Sequence, residues 1–175
     1  MNCKPDKKIL DLISKMSKED IYQAMYCDPL TGVQNRRAFE ATSSPAVGIV
    51  DMDSLKYIND SYGHRAGDSA LIELAEVLIE EFGYGGVYRI SGDEFVVVGD
   101  DYVSLSKRIA EVQDLYDKFS FGTGITLNHA DYRLKRNKSA RIAAGRRSER
   151  GVAPPWISEY ATQSYKAGIV IRHFY

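Results

Sequence analysis

Ala46-Val47-Gly48-Ile49-Val50, running directly into Asp51-Met52-Asp53, carries the architecture of the whole chain. A short apolar run rich in β-branched residues reads as a buried strand, and here its C-terminal end delivers carboxylates. Downstream, Val87 to Ile90 and Phe95 to Val98 are two more β-type runs, separated by Ser91-Gly92-Asp93-Glu94. That pattern predicts a hairpin with an acidic tip. If these strands are adjacent, Asp51/Asp53 and Asp93/Glu94 meet at one end of a sheet, an arrangement that only a cation makes cheap. Oxygen ligands without His or Cys suit Mg²⁺, which keeps waters and binds phosphate groups through one or two carboxylates. The implied chemistry is phosphoryl transfer. Any one of these acids alone reads more plainly as a solvated turn residue; their joint placement favours a site.

Working outward, residues 54–59 and Ser69 to Phe82 have helical periodicity, as do Ser104 to Lys118 and Asn128 to about Arg147. Phe119 to Thr126 reads as a strand. Strands and helices therefore alternate. At the N-terminus, apolar residues from Ile9 to Met25 recur every three to four positions and predict an amphipathic helix over 7–25, with Ser17 as its candidate break. Asp28-Pro29-Leu30-Thr31-Gly32 is turn chemistry, followed by a short helix opened by Asn35-Arg36-Arg37. Beyond Gly151 the composition shifts through Ala153-Pro154-Pro155, and Ala167 to Phe174 alternates like a terminal strand. The expected organisation is a helical segment at 1–27, a domain at 28–150 and an extension at 151–175. There is no internal repeat and no low-complexity segment.

The 175 residues are 44% hydrophobic, enough for a core without staples. Two cysteines, Cys3 and Cys27, have no metal-ligand spacing. No apolar run approaches a membrane span, so a cytoplasmic location with no membrane association is the expectation. A net charge of −1 gives no global field for nucleic acid, although Arg133, Lys135, Arg136, Lys138, Arg141, Arg146, Arg147 and Arg150 form a local basic stretch that calls for an anion. An acidic site nearby weighs against nucleic acid as that anion.

Three motifs, taken in order, carry a family resemblance. Asp28-Pro29-Leu30-Thr31-Gly32-Val33 with Asn35-Arg36-Arg37 comes first; Asp51 to Asp60 with Tyr62-Gly63-His64 and Gly67-Asp68 follows; Arg89-Ile90-Ser91-Gly92-Asp93-Glu94-Phe95 closes the set. Over about residues 28–141 the chain resembles the GGDEF family of diguanylate cyclases. The fold this implies is α/β: a central, mainly antiparallel five-stranded sheet flanked by helices, like the palm of nucleotidyl cyclases and polymerases.

The resemblance further implies that Asp51, Asp93 and the Met52 carbonyl hold Mg²⁺, with Mn²⁺ as the alternative, and that Glu94 assists at the reacting end. Asn59 and Asp68 match guanine-reading positions, and a carboxylate suits guanine's N1–H and N2 donors rather than adenine. Taken alone, Asn59 also reads as a helix-end residue and Asp68 as the N-cap of the helix at Ser69. Lys56, Ser91 and Gly92 fall among the implied substrate-binding positions, and backbone N–H groups of residues 53–56 would face phosphate if they open a helix. Lys138 matches the phosphate-binding lysine. Arg141 is its expected partner, because the usual position four residues on is Ile142; solvated helix charge is the plainer alternative for both. The implied substrate is GTP, two molecules being joined to cyclic di-GMP, and the implied partner is a second copy of the chain.

Three departures stand out. Ser91 replaces the first glycine of the signature. Phe82-Gly83-Tyr84-Gly85 occupies the place of the family's Arg/Asp product-inhibition pair. The link from Glu40 to Ala46 is short and trims the first helix. These departures motivate the alternative of a catalytically silent GTP-binding or protein-interaction module.

Overall fold

The computed structural model describes residues 5–157. The N-terminal segment is two helices, α1 (Lys7–Ile13) and α2 (Lys18–Tyr26). The break falls at Ser17, whose hydroxyl accepts from the Asp20 N–H while the Asp20 carboxylate accepts from the Ser17 N–H, a reciprocal cap that starts α2 afresh. No residue of α1 is buried, and Ile9, Leu10, Leu12 and Ile13 are exposed.

There follow β1 (Gln34–Asn35), α3 (Arg36–Glu40), β2 (Ala46–Met52), α4 (Leu55–Tyr62), α5 (His64–Phe82), a 3₁₀ turn (Tyr84–Gly86), β3 (Val87–Ser91), β4 (Glu94–Gly99), α6 (Tyr102–Leu115), β5 (Phe119–Gly124) and α7 (Leu127–Ala143). The sheet order is β1-β3-β4-β2-β5. Only β1–β3 is parallel; β3–β4, β4–β2 and β2–β5 are antiparallel. The mainly antiparallel five-stranded sheet expected from the sequence is present. Its fifth described strand is the short β1, however, and the expected terminal strand at 167–174 lies outside the described residues.

Strand β2 is buried along its whole length, and its side chains alternate between two cores. Ala46, Val50 and Met52 face one cluster with Ile58, Leu74, Leu78, Phe95, Leu105 and Phe119, drawn from β4, β5 and helices α4 to α6. Val47 and Ile49 face the other, with Ala38, Tyr88, Val96, Ala130 and Leu134 from α3, β3, β4 and α7. By the two-residue period of a strand, Asp51 shares the α7 face. Helix α7 lies directly on β5, because a Cβ on Gly122 would come 2.1 Å from the Leu134 backbone nitrogen. Trp156 and Ile157, beyond Gly151, pack against the first cluster, so this part of the extension belongs to the domain core.

Helix α5 begins at His64, five residues before the expected Ser69. Gly63, with φ 86°, closes α4 and opens α5 in a single residue. Asp68 therefore lies inside the helix and is not its N-cap.

Candidate functional site

The acidic end of β2 is assembled by backbone pairing. Asp51 is registered opposite Glu94 of β4 and Ser120 of β5. At the last residue of the strand the Met52 N–H donates to the Asp93 carbonyl (3.0 Å), and one residue on the Asp53 N–H donates to the Lys118 carbonyl (2.8 Å). The two acidic clusters do meet here. Asp53 is thus unable to offer its N–H to phosphate, and the backbone donors left at this turn start with Ser54, which holds a left-handed conformation (φ 62°) before α4.

Asp51 is 5% exposed, and burial pushes its carboxyl up to about 6. A hydrogen bond and charge from Lys138 oppose that rise, and the charges of Asp93 and Asp53 add to it. Lys138 reaches Asp51 Oδ1 at 2.7 Å. Helix geometry explains this contact: Ala130, Leu134 and Lys138 are spaced four apart on one face of α7, so the apolar pair that docks on the sheet carries the ammonium to its acidic end.

Arg141 is placed differently from expectation. Its side chain is 5% exposed and locked between Asp53 (Nη2–Oδ2 3.0 Å) and Asp117. Asp53 is itself fully buried and also accepts from Ser120 Oγ (2.7 Å) and Arg147 Nε (2.6 Å). Paired guanidinium groups make this buried carboxylate tolerable. Arg141 braces the site from beneath instead of facing the open side. Other cations of the basic stretch also meet the chain's own carboxylates: Lys135 pairs with Asp131, Arg146 with Asp117, and Arg147 with Asp53, whereas Arg133 donates to the Thr123 carbonyl.

At the hairpin tip, Ser91 Oγ donates to Glu94 Oε2 (2.9 Å). Arg89 donates to the Gly92 carbonyl from Nε (3.1 Å) and Nη2 (2.7 Å), and from Nη1 to Asp28 (2.9 Å). Asp28 also accepts from the Thr31 N–H and hydroxyl. Burial alone would raise the Asp28 carboxyl, but these hydrogen bonds outweigh it and hold it below the ordinary value. The first and third sequence motifs are thus one structural unit, with Arg89 as the link. Both residues belong to the motifs, but a separation of 61 positions leaves no local signal of their pairing.

On the other side of the site, α4 and α5 pack closely because Gly67 lacks a side chain; its Cβ would come 2.0 Å from Asn59 Oδ1. That contact places Asn59 against the residue that precedes the exposed Asp68 in α5. Lys56 is exposed and pairs with Asp60 (2.7 Å), away from Asp51 in its observed contacts.

Among the described residues no group of three or more His, Cys, Asp or Glu side chains is placed to hold a metal. Two carboxylates, Asp51 and Asp93, with the Met52 carbonyl, nevertheless fit Mg²⁺, which takes few protein ligands and completes its shell with water and phosphate. The buried Asp51 carboxylate, registered opposite Glu94 and beside the Asp93 turn, is the feature that favours a cation there. No helix among the described residues is long and apolar enough to cross a membrane.

Comparison with known proteins agrees with this geometry. The family model described as "Diguanylate cyclase, GGDEF domain" matches residues 25–122. Diguanylate cyclase DgcN of Escherichia coli K12 is 42% identical over 95 residues, covering 46% of this chain and 22% of that protein. Diguanylate cyclase DgcS of Shewanella oneidensis MR-1 is 28% identical over 138 residues, covering 69% of this chain and 47% of that one. The chain therefore spans less than half the length of either relative. A sensory box/GGDEF family protein from Caulobacter crescentus CB15 superposes with a TM-score of 0.53 at 26% identity, covering 66% of this chain and 99% of that structure. The match spans more than half of the chain and includes the β2 acids and the hairpin tip, and on that basis this protein belongs to the GGDEF diguanylate cyclase family.

Proposed function

We propose that the chain is a diguanylate cyclase that joins two GTP molecules into cyclic di-GMP at the interface of two copies. The observation that carries this reading is the convergence of Asp51, the Asp93-Glu94 tip and Lys138 at one end of β2. In each transfer, the 3′-hydroxyl oxygen of one nucleotide bonds to the α-phosphorus of the other while the bond to pyrophosphate breaks. Two transfers close the ring and release two pyrophosphates.

Asp51, Asp93 and the Met52 carbonyl would hold Mg²⁺, or Mn²⁺, which supplies neutralisation of charge on the transferring phosphoryl group. Glu94, at the solvent side of the hairpin tip, is the carboxylate available to the hydroxyl proton of the attacking sugar. Lys138, which now neutralises Asp51, is the ammonium that turns to the triphosphate. Asp68 and Asn59 select guanine by accepting from its N1–H and N2 groups and donating to its acceptors. One copy binds one GTP, so the reaction needs a homodimer. Membrane and nucleic acid have no part in this reading, and a cytoplasmic location accords with it.

A second reading is a silent GTP-binding module, favoured by Ser91 in place of the signature glycine and by its hydrogen bond to Glu94. Incubation with GTP and Mg²⁺, with products resolved by mass spectrometry, separates the two. Cyclic di-GMP from wild type but not from Asp93→Ala/Glu94→Ala, at a rate rising faster than linearly with protein concentration, supports the cyclase. GTP binding without product at high protein concentration supports the silent module.

A further inference from the structure

We propose that Arg147, from the turn after α7, is a phosphate-binding residue of this site and the second cation beside Lys138. The inference rests on the reading of the acidic end as a nucleoside triphosphate site. Its starting point is the placement of the basic residues after Leu134. Arg141 is locked under the sheet end between Asp53 and Asp117, and Arg146 is directed at Asp117 and Asp114. Lys138 approaches Asp51 from the helix. Arg147 approaches the same carboxylate from another side, with Nη2 3.9 Å from Asp51 Oδ1.

Local structure holds it there. Gly145, at φ 69°, reverses the chain at the end of α7, and the N–H groups of Arg146 and Arg147 both donate to the Arg141 carbonyl (2.9 and 3.2 Å). This is the left-handed ending that caps many helices. It swings the Arg147 side chain back over the helix terminus, where Nε donates to Asp53 Oδ1 at 2.6 Å.

The pairing engages one edge of the guanidinium. Asp53 Oδ2 is taken by Arg141, and the Arg147 Nη2 group stands beyond hydrogen-bond reach of Asp51. A planar guanidinium with five donors can keep one acceptor and present its remaining N–H groups to another. With 19% of its side chain exposed, Arg147 is neither sealed like Arg141 nor solvated like a surface arginine. Its free edge faces the carboxylate that would share a cation with phosphate oxygens. Lys138 and Arg147 thus flank the position of a triphosphate, one as a point charge and the other as an oriented fork.

The test is equilibrium binding of a non-hydrolysable GTP analogue with Mg²⁺, beside GMP, to wild type, Arg147→Ala and Arg147→Gln. Gln can still donate to Asp53 but lacks the charge, so it guards against loss of fold, which is followed by thermal unfolding without nucleotide. The expected result is that both variants lose about tenfold or more in affinity for the triphosphate, the size of one charge-assisted hydrogen bond, while GMP affinity changes less than about twofold. Unchanged triphosphate affinity in a folded Arg147→Gln protein, with wild type binding normally, overturns the proposal alone and leaves Arg147 as a pin for Asp53. Equal losses for GMP and triphosphate also overturn it, because they signal a distorted site. Failure of wild type to bind the analogue overturns the nucleotide reading and this proposal with it.

Discussion

Asn59 rests against the bare Cα of Gly67, so closely that a single added methyl would lie 2.0 Å from its Oδ1. With Asn59 in its proposed role of reading guanine, the relationship would tie base recognition to the packing of α4 on α5. Gly67→Ala gains helix propensity of about 1 kcal/mol but must displace the Asn59 amide. The expected outcome is near wild-type thermal stability with GTP affinity reduced about five- to thirtyfold, the equivalent of one or two hydrogen bonds. Asn59→Ala should produce a similar loss, and the double variant should be no worse than either, since both changes remove the same contact. Additive losses would show that Gly67 acts elsewhere.

Ser91 is exposed and bonded to Glu94, so its side chain turns along the hairpin tip and not into the fold. Ser91→Gly should leave the melting temperature unchanged and alter the rate of cyclic di-GMP formation by less than about threefold, because an exposed neutral donor holds a carboxylate only weakly. Glu94→Gln should reduce the rate far more. A tenfold gain in Ser91→Gly would instead mean that the hydroxyl restrains Glu94.

Arg141→Met leaves the fully buried Asp53 with fewer positive partners. Removing one member of a buried ion pair costs about 3–5 kcal/mol, and the expected value lies at the low end because Arg147 and Ser120 remain. Chemical denaturation measures it. A loss below about 1 kcal/mol would mean that the pair is solvated on this timescale.

The Asp51 carboxyl gives a pH dependence with a definite sign. Its folded value, about 6, is above the ordinary carboxylate value, so the folded protein holds a proton there that the unfolded chain has released. That contribution to stability is complete at low pH and disappears as pH rises through 6. A divalent cation must displace the proton, so Mg²⁺ should raise the melting temperature more at about pH 7.5 than at about pH 5.5. Asp51→Asn should abolish the Mg²⁺ effect at both.

Much of this was legible from residues in order along the chain. The β2 run and the hairpin around Gly92 pointed to adjacent strands, and their acids to the candidate site, because strand periodicity and turn chemistry are local signals. Ser17 was recognisable as a break because its capping partner, Asp20, is three residues away. The start of α5 was not, since His64-Arg65-Ala66-Gly67 offers no apolar face to reveal a helix. Two-residue β1 is held by a neighbour distant in sequence, and nothing in Gln34-Asn35 announces it. The roles of Arg141 and Arg147 were hidden for a related reason: which arginine is sealed and which stays open depends on how α7 lies on Gly122 and how the chain turns at Gly145. Charge counting along the stretch treats them alike.

The backbone ladder beyond β2 bears on how the site meets its ligand. Since the N–H groups of Met52 and Asp53 are already engaged by the carbonyls of Asp93 and Lys118, three segments far apart in the chain are clamped at their tips before any nucleotide arrives. The acids stand on a fixed mount, and in the proposed function nucleotide binding would have only side chains such as Lys138 to rearrange. In the proposed homodimer, adaptation to a second copy would fall to the parts outside that mount, above all the solvent-facing apolar side of α1.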